Sequence, residues 1–142
     1  MKYLLDTCVL SETAKPRPQE SVVSWLANTE ASDLFVPSVV LGEIVSGIEK
    51  LDQGRRKDAL VSWLEEYKRR FGSMIVPFDG AAAELWGARK AQLERLGKPR
   101  PVVDTQIAAI ALARNMTLVT RNEKDFEGFG VRVFNPFESA NG

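Results

Sequence analysis

The sequence predicts an α/β fold built on a parallel sheet, and three observations carry that prediction. Short apolar runs recur along the chain, stretches with helical periodicity lie between them, and no internal repeat or domain linker divides the 142 residues. A chain of this length suits one domain with a sizeable core, so residues 1–142 are expected to form a single domain.

The elements follow in order. Residues 2–5 (KYLL) make the first strand, and residues 19–27 carry Val22, Val23 and Leu26 at helical spacing. A second strand at 34–36 leads into a helix over 38–51 with Val40, Leu41, Ile44, Val45 and Ile48 on its apolar stripe. A helix over 60–71 carries Leu60, Trp63, Leu64, Tyr67 and Phe71 and precedes a third strand at 74–76. Helices over 81–96 and 102–114 come before strands at 117–119 and 131–134, while "KPRPQE" and "GKPRP" read as Pro-punctuated loops.

Composition narrows the chemistry. Apolar residues make up 44% and charged residues 27%, as in globular proteins, and Lys+Arg equals Asp+Glu at 19 each, so no global charge advertises a nucleic acid. Local basic clusters remain at Arg55, Arg56, Lys57 and at Lys68, Arg69, Arg70, with a solvated helix face as the plain reading of both. No stretch has the length of a signal-peptide core or a membrane span, which leads to the expectation of a cytoplasmic protein with no membrane partner. Cys8 is the single cysteine, and the chain has no histidine. Disulfide frameworks, thiolate or imidazole zinc sites, and catalysis by Ser-His-Asp or Cys-His are thereby excluded. Chemistry must come from carboxylates, Lys, Tyr, or a metal held by oxygen. There is also no Gly-rich phosphate loop after any strand.

An open parallel sheet binds its ligands at the carboxyl ends of the strands, and there this sequence places acids. Asp6 lies between two apolar runs in "LLDTCVLSE", where a carboxylate needs a partner or a job; a helix cap shared with Thr7 is the structural alternative. Glu43, early in the helix after the second strand, is flanked by Val39, Gly42, Ser46 and Gly47, small neighbours that leave room for an ion; it also suits an ordinary exposed helix position. Asp104 opens a helix that is apolar all round and shares a face with Ile107, Ala108 and Ala111; an N-cap is its alternative, although no Glu or Gln follows at the capping-box position. Asn122, Glu123 and Asp125 follow the fourth strand, and Asp125 could equally be a surface acid. Converging carboxylates repel one another unless a cation or proton neutralises them. Oxygen ligands without His or Cys suit Mg²⁺ or Mn²⁺, which can activate water and stabilise in-line displacement at phosphorus.

Four blocks, "YLLDTCVLSE", "VPSVVLGEIVSGIEKL", "PVVDTQIAAIALARNMTLVTRNEKDF" and "VFNPF", resemble in order those of the PIN-domain ribonucleases, specifically the VapC toxins of bacterial toxin–antitoxin pairs, FitB-like members especially. The resemblance covers nearly the whole chain. It implies an α/β/α sandwich with a five-stranded parallel sheet and an endoribonuclease that needs Mg²⁺, with Mn²⁺ as a substitute, and that inhibits translation and growth. Carried over by motif, Asp6 and Asp104 look like the principal metal ligands, with Glu43 completing the acidic cluster directly or through water. Asp125 stands in the block that supplies the fourth acid, where relatives often carry Asp at the position of Asn122, so the resemblance leaves both open. Cys8 stands where Asn is usual, which weakens any hydrogen bond from that position, while Thr7 is retained. Arg121 or Arg100 would meet the RNA backbone.

The resemblance implies partners as well. A cognate VapB-type antitoxin would pack on the helices and block the acidic pocket, the toxin would be a homodimer, and the hetero-oligomer would sit on promoter DNA through the antitoxin. Leu60, Trp63, Leu64 and Tyr67 form a candidate stripe for the antitoxin, with burial against the sheet as the alternative. Two rival readings stand beside this one: a non-catalytic PIN-like binding module, and a metal-dependent phosphatase on a related Rossmann-like fold.

Overall fold

The computed structural model describes residues 1–138. Among these residues, strands β1 (Tyr3–Leu5), β2 (Leu34–Pro37), β3 (Ile75–Val76), β4 (Thr117–Val119) and β5 (Val133–Phe134) form one five-stranded sheet in the order β3-β2-β1-β4-β5. Every neighbouring pair is parallel. The connections carry helices α1 (Thr7–Thr13), α2 (Glu20–Ala27), α3 (Ser38–Glu49), α4 (Arg55–Phe71), α5 (Gly80–Arg95) and α6 (Val102–Ala113). The fold class and all five strands agree with the sequence-based expectation.

The strands are short and apolar throughout because both sheet faces are covered. Leu4, Leu5, Leu118 and Val119 are fully buried, and successive strand residues point to opposite faces, so β1 and β4 are buried on both sides. Tyr3 of β1 meets Trp25 of α2 edge to face and Trp25 meets Phe134 of β5 at a tilt, with ring centroids 5.0 and 5.3 Å apart, and so the three dock α2 on the sheet. The helix α6 buries Thr105 and residues 107–111, which fits its apolar character on all sides.

Two helices differ from the expectation. α1 has no counterpart in the periodicity, since seven residues are too few to show a stripe; it forms because Asp6 caps it, its backbone carbonyl accepting from Val9 N–H at 3.1 Å. α4 begins at Arg55, ahead of the expected start at Leu60, because "RRKDA" favours a helix without offering apolar spacing.

One buried acid is structural. Glu12, in α1, is 5% exposed. Its Oε2 accepts Gln19 N–H at 2.8 Å and its Oε1 pairs with Lys15 Nζ at 2.8 Å, so it closes the loop between α1 and α2. Gln19 Nε2 then donates to the Phe137 carbonyl at 2.6 Å, tying that loop to the C-terminal segment. The Lys15 and Gln19 bonds hold the Glu12 carboxyl below its usual range. Its contribution to stability is therefore present above the ordinary glutamate pKa and is lost as pH falls through the lowered folded value. Urea unfolding of Glu12→Ala should show a loss of about 1–3 kcal/mol near neutral pH, shrinking in acid. An unchanged midpoint would mean that the loop is held by other contacts.

Candidate active site

The chain runs from β1 outward through β2 to β3, then crosses to the other side of β1 for β4 and β5. The strand order therefore switches between β1 and β4, where parallel α/β sheets open a crevice. Register pairs Leu5 with Val119, so Asp6 and Thr120 leave the sheet side by side, and Asp6 N–H donates to the Val119 carbonyl at 3.0 Å. Asp6 is only 4% exposed. Its Oδ1 accepts Thr7 N–H at 2.8 Å and its Oδ2 accepts the Thr120 hydroxyl at 2.7 Å. Burial pushes its carboxyl up, the Thr120 and Thr7 bonds oppose the shift, and the charge of Glu43 adds to it.

Glu43 lies on the exposed flank of α3, with its Oε1 accepting the Thr7 hydroxyl at 2.7 Å. A Cβ placed at Gly42 or Gly47 on the same helix would meet nothing within 4 Å, so the approach to Glu43 is open. Asp104 is in the first turn of α6, but the cap residue is Pro101 and no side chain makes a capping bond there. The N-cap alternative for Asp104 is thus overturned. The turn is fixed by Trp86 of α5, whose Nε1 donates to Thr105 Oγ1 at 2.9 Å, while that hydroxyl donates to the Val102 carbonyl at 2.6 Å.

Asp104 has its carboxyl pushed up to about 6, first by burial and then by the charges of Asp6, Asp125 and Glu43. Asp6, Asp125 and Glu43 are therefore all within electrostatic reach of Asp104, and Glu43 of Asp6. Half-buried Asp125, in the short turn Glu123–Phe126, acts on Asp104, while Asn122 is exposed and gives its backbone N–H to Thr120 Oγ1 at 3.1 Å. Among the described residues, no ion pair involves any of the four acids. Nor do three His, Cys, Asp or Glu side chains among those residues close on one point as a ready-made cage. A hard divalent ion does not need one, because Mg²⁺ keeps several waters and takes one or two carboxylates. The all-carboxylate donor set and its unneutralised repulsion fit such an ion.

Thr120 went unnoticed in the sequence, and its signal was the register that puts it beside Asp6. Cys8, at the position where the resemblance expects Asn, accepts Arg121 N–H at 3.4 Å and lies 3.8 Å from Asp6 Oδ2, so it supplies long, weak contacts. Burial pushes its thiol up and the Asp6 charge pushes in the same direction. Arg100 is half-buried and donates to the Glu127 carbonyl at 3.3 Å, whereas Arg121 is exposed, with its guanidinium 4.5 Å from the Phe137 ring centre.

From Thr7 and Glu43 a cavity of about 770 Å³ extends between α1, α3 and α4, lined also by Ser11, Gly47, Leu60 and Trp63. The stripe read from α4 divides here: Leu60 and Trp63 face the cavity, while Leu64 and Tyr67 are buried in the core. Arg56 reaches the cavity, whereas Lys68 and Arg69 pair with Glu65 and Glu66 on an exposed face.

The raised Asp104 pKa has a measurable consequence. Between the unfolded value of 3.8 and the folded value of about 6, the folded state binds the extra proton, so stability contributed by this group falls as pH rises through that window. In EDTA at about pH 7.5, Asp104→Asn should be more stable than the parent by about 1–2 kcal/mol, allowing for partial exposure. The gain should close as pH is lowered toward 4 in thermal scans. Loss of the fold in Asp104→Asn would instead return this acid to a structural role.

Comparison with known proteins shows the family. The PIN domain family model matches residues 3–130. Toxin FitB of Neisseria gonorrhoeae is 33% identical over 135 residues, covering 94% of this chain and 97% of FitB. The tRNA(fMet)-specific endonuclease VapC of Shigella flexneri is 32% identical over 130 residues, covering 92% and 93% of the two chains. The structure of FitAB bound to an IR36 DNA fragment contains a chain that superimposes with a TM-score of 0.88 at 33% identity, over 95% of each chain. With its parallel sheet, its switch-point acids and these relatives, the chain belongs to the PIN-domain family, in the group that includes FitB and VapC.

Proposed function

We propose that this chain is a divalent-metal-dependent endoribonuclease and the toxin of a type II, VapBC-like toxin–antitoxin pair. The observation that carries the reading is the gathering of Asp6, Glu43 and Asp125 around Asp104 at the switch point, where burial first and the three charges next push the Asp104 carboxyl up to about 6. Asp6 and Asp104 would hold the ion, with Glu43 completing the set and Asp125 as the fourth acid. When bound, Mg²⁺ or Mn²⁺ supplies Lewis-acid stabilisation of charge at phosphorus and eases deprotonation of the attacking water. The protein supplies orientation: Thr120 and Thr7 fix both Asp6 oxygens, and Thr7 also holds Glu43 Oε1, so the two acids are set relative to each other. With no histidine in the chain, a carboxylate, Glu43, orients the water and takes its proton. The products would carry 5′-phosphate and 3′-hydroxyl ends.

The names of the relatives support this reading, one being a toxin and another a tRNA(fMet)-specific endonuclease. Among the described residues no helix is long and apolar enough to cross a membrane, and the proposed place of action is the cytoplasm, where cleaved RNA stops translation and growth. The cavity beside Thr7 and Glu43 would seat the antitoxin, with Leu60 and Trp63 as apolar anchors and the acids within reach of a basic antitoxin side chain. A homodimer, joined by antitoxin into a hetero-oligomer on promoter DNA, completes the proposal. The chain's balance of 19 basic and 19 acidic residues makes its own RNA binding weak and salt-dependent, which a second subunit would reinforce.

Purified, antitoxin-free protein should cut total cellular RNA into discrete fragments with Mg²⁺ or Mn²⁺, and the fragments should vanish in EDTA and in Asp104→Asn. Fragments that persist in the variant would sink the site assignment. Failure to cut any RNA would leave the binding-module reading, and trapping of an aspartyl-phosphate would favour the phosphatase. The antitoxin seat has its own test in Gly47→Gln. A Cβ at Gly47 meets nothing within 4 Å in the free protein, so stability should hold or rise by up to about 1 kcal/mol. Affinity for the cognate antitoxin, measured by calorimetry, should fall roughly tenfold or more, as when an anchor pocket is blocked. Unchanged affinity would move the seat elsewhere.

A further inference from the structure

We infer that Arg121 is a phosphate-binding residue of this active site and that Phe137, from the C-terminal segment, is its positioning residue; the inference rests on the ribonuclease reading above. Arg121 follows Thr120, the residue whose hydroxyl holds Asp6 Oδ2, and its own N–H donates to Cys8 Sγ at 3.4 Å. Its backbone is thereby fixed at the rim of the acidic crevice. Its side chain is exposed, with the guanidinium carbon 4.5 Å from the centre of the Phe137 ring. A guanidinium held over a ring has its long side chain restrained, and the contact uses none of its N–H donors. Among the described residues, no carboxylate pairs with Arg121 and its guanidinium makes no hydrogen bond, so those donors are unspent.

The ring beneath it is anchored from several directions. Phe137 is 8% exposed. Its N–H donates to Asn135 Oδ1 at 2.9 Å, and its carbonyl accepts Gln19 Nε2 at 2.6 Å and the Ser21 hydroxyl at 3.5 Å. Glu12, the nearby buried acid whose carboxylate senses Arg121, already spends its oxygens on Lys15 and Gln19. Thus the loop between α1 and α2 and the C-terminal segment together build a platform for the Arg121 guanidinium. α1 separates this platform from the cavity: Thr7 and Ser11 face the cavity, while Cys8 and Glu12, also four residues apart, lie toward Arg121. A strand of RNA laid across the acids from the cavity side would leave them past Arg121, which can take a neighbouring phosphate with a two-pronged contact.

The test is steady-state cleavage of unfractionated transfer RNA with Mg²⁺, together with binding of the same RNA at several salt concentrations with Ca²⁺ in place of Mg²⁺. Arg121→Gln should raise KM roughly tenfold with kcat within about threefold, and flatten the plot of log affinity against log salt by about 0.7 to 0.9, the share of one phosphate. Arg121→Lys should restore the slope and only part of KM. Phe137→Leu should raise KM with the slope kept, and should add nothing further in the Arg121→Gln background, where a merely structural role would add. Unchanged KM and slope in Arg121→Gln overturn the inference, as does an effect confined to kcat or to the antitoxin complex. If the parent protein cuts and binds no RNA, the ribonuclease reading fails, and the inference falls with it.

Discussion

A carboxylate buried at the end of the central strand is the constraint on which the rest of this structure depends. Asp6 is 4% exposed and, among the described residues, has no basic side chain paired with it. Burying such a group is costly unless its oxygens are hydrogen-bonded, and here the fold spends its best local donors on them. The Thr7 N–H and the Thr120 hydroxyl occupy Oδ1 and Oδ2. The first of these bonds belongs to the start of α1, which Asp6 caps; the second exists because β4 pairs with β1 in the register that aligns Leu5 with Val119. One residue therefore ends a strand, starts a helix and faces the crevice. A change at Asp6 would disturb all three at once, and so Asp104 is the better residue for separating chemistry from folding.

Asp104 shows the complementary case, a charge that the fold leaves unsettled. It caps nothing, and three other acids act on it. Repulsion of this kind lowers the stability of the metal-free protein and is characteristic of sites whose groups are arranged for a ligand or a reaction. The scaffold tolerates it because Asp104 stands on α6, the most thoroughly buried helix, with its first turn locked by Thr105 and Trp86. Rigidity of the support and discomfort of the charge go together here.

The parts legible in the sequence were those set by local pattern: five apolar runs, five helical stretches and acids at the strand ends. α1 was not legible, because seven residues starting with Thr-Cys show no stripe and its nucleus is a cap that looks like an isolated acid. Thr120 was not legible either, since its role depends on which strands pair and in what register. For Asp104 the sequence left cap or ligand open; placing Pro101 at the cap position put Asp104 inside the first turn and removed the cap. The antitoxin stripe on α4 mixed two environments, because one face of the helix begins over the cavity at Leu60 and Trp63 and enters the core at Leu64 and Tyr67. Periodicity identifies a face, but it cannot say what covers each turn of it.

Charge balance gives the crevice its last property. Four carboxylates at its mouth repel a polyanion, and the chain as a whole offers no compensating positive field, with 19 acids against 19 bases. On the proposed reading, RNA binds well only when a cation stands among Asp6, Glu43 and Asp104, so metal and substrate each raise the affinity for the other, as linkage requires. A single exposed guanidinium such as Arg121 does not reverse the field of the acids; it fixes where along the strand a phosphate rests relative to them. In a nearly neutral nuclease, selectivity for position then comes from a few placed cations and from whatever partner chain lies beside the site, while gross attraction contributes little. That is a reason for such an enzyme to be silent on most RNA and active on the few shapes that bring a backbone across both the acids and the arginine.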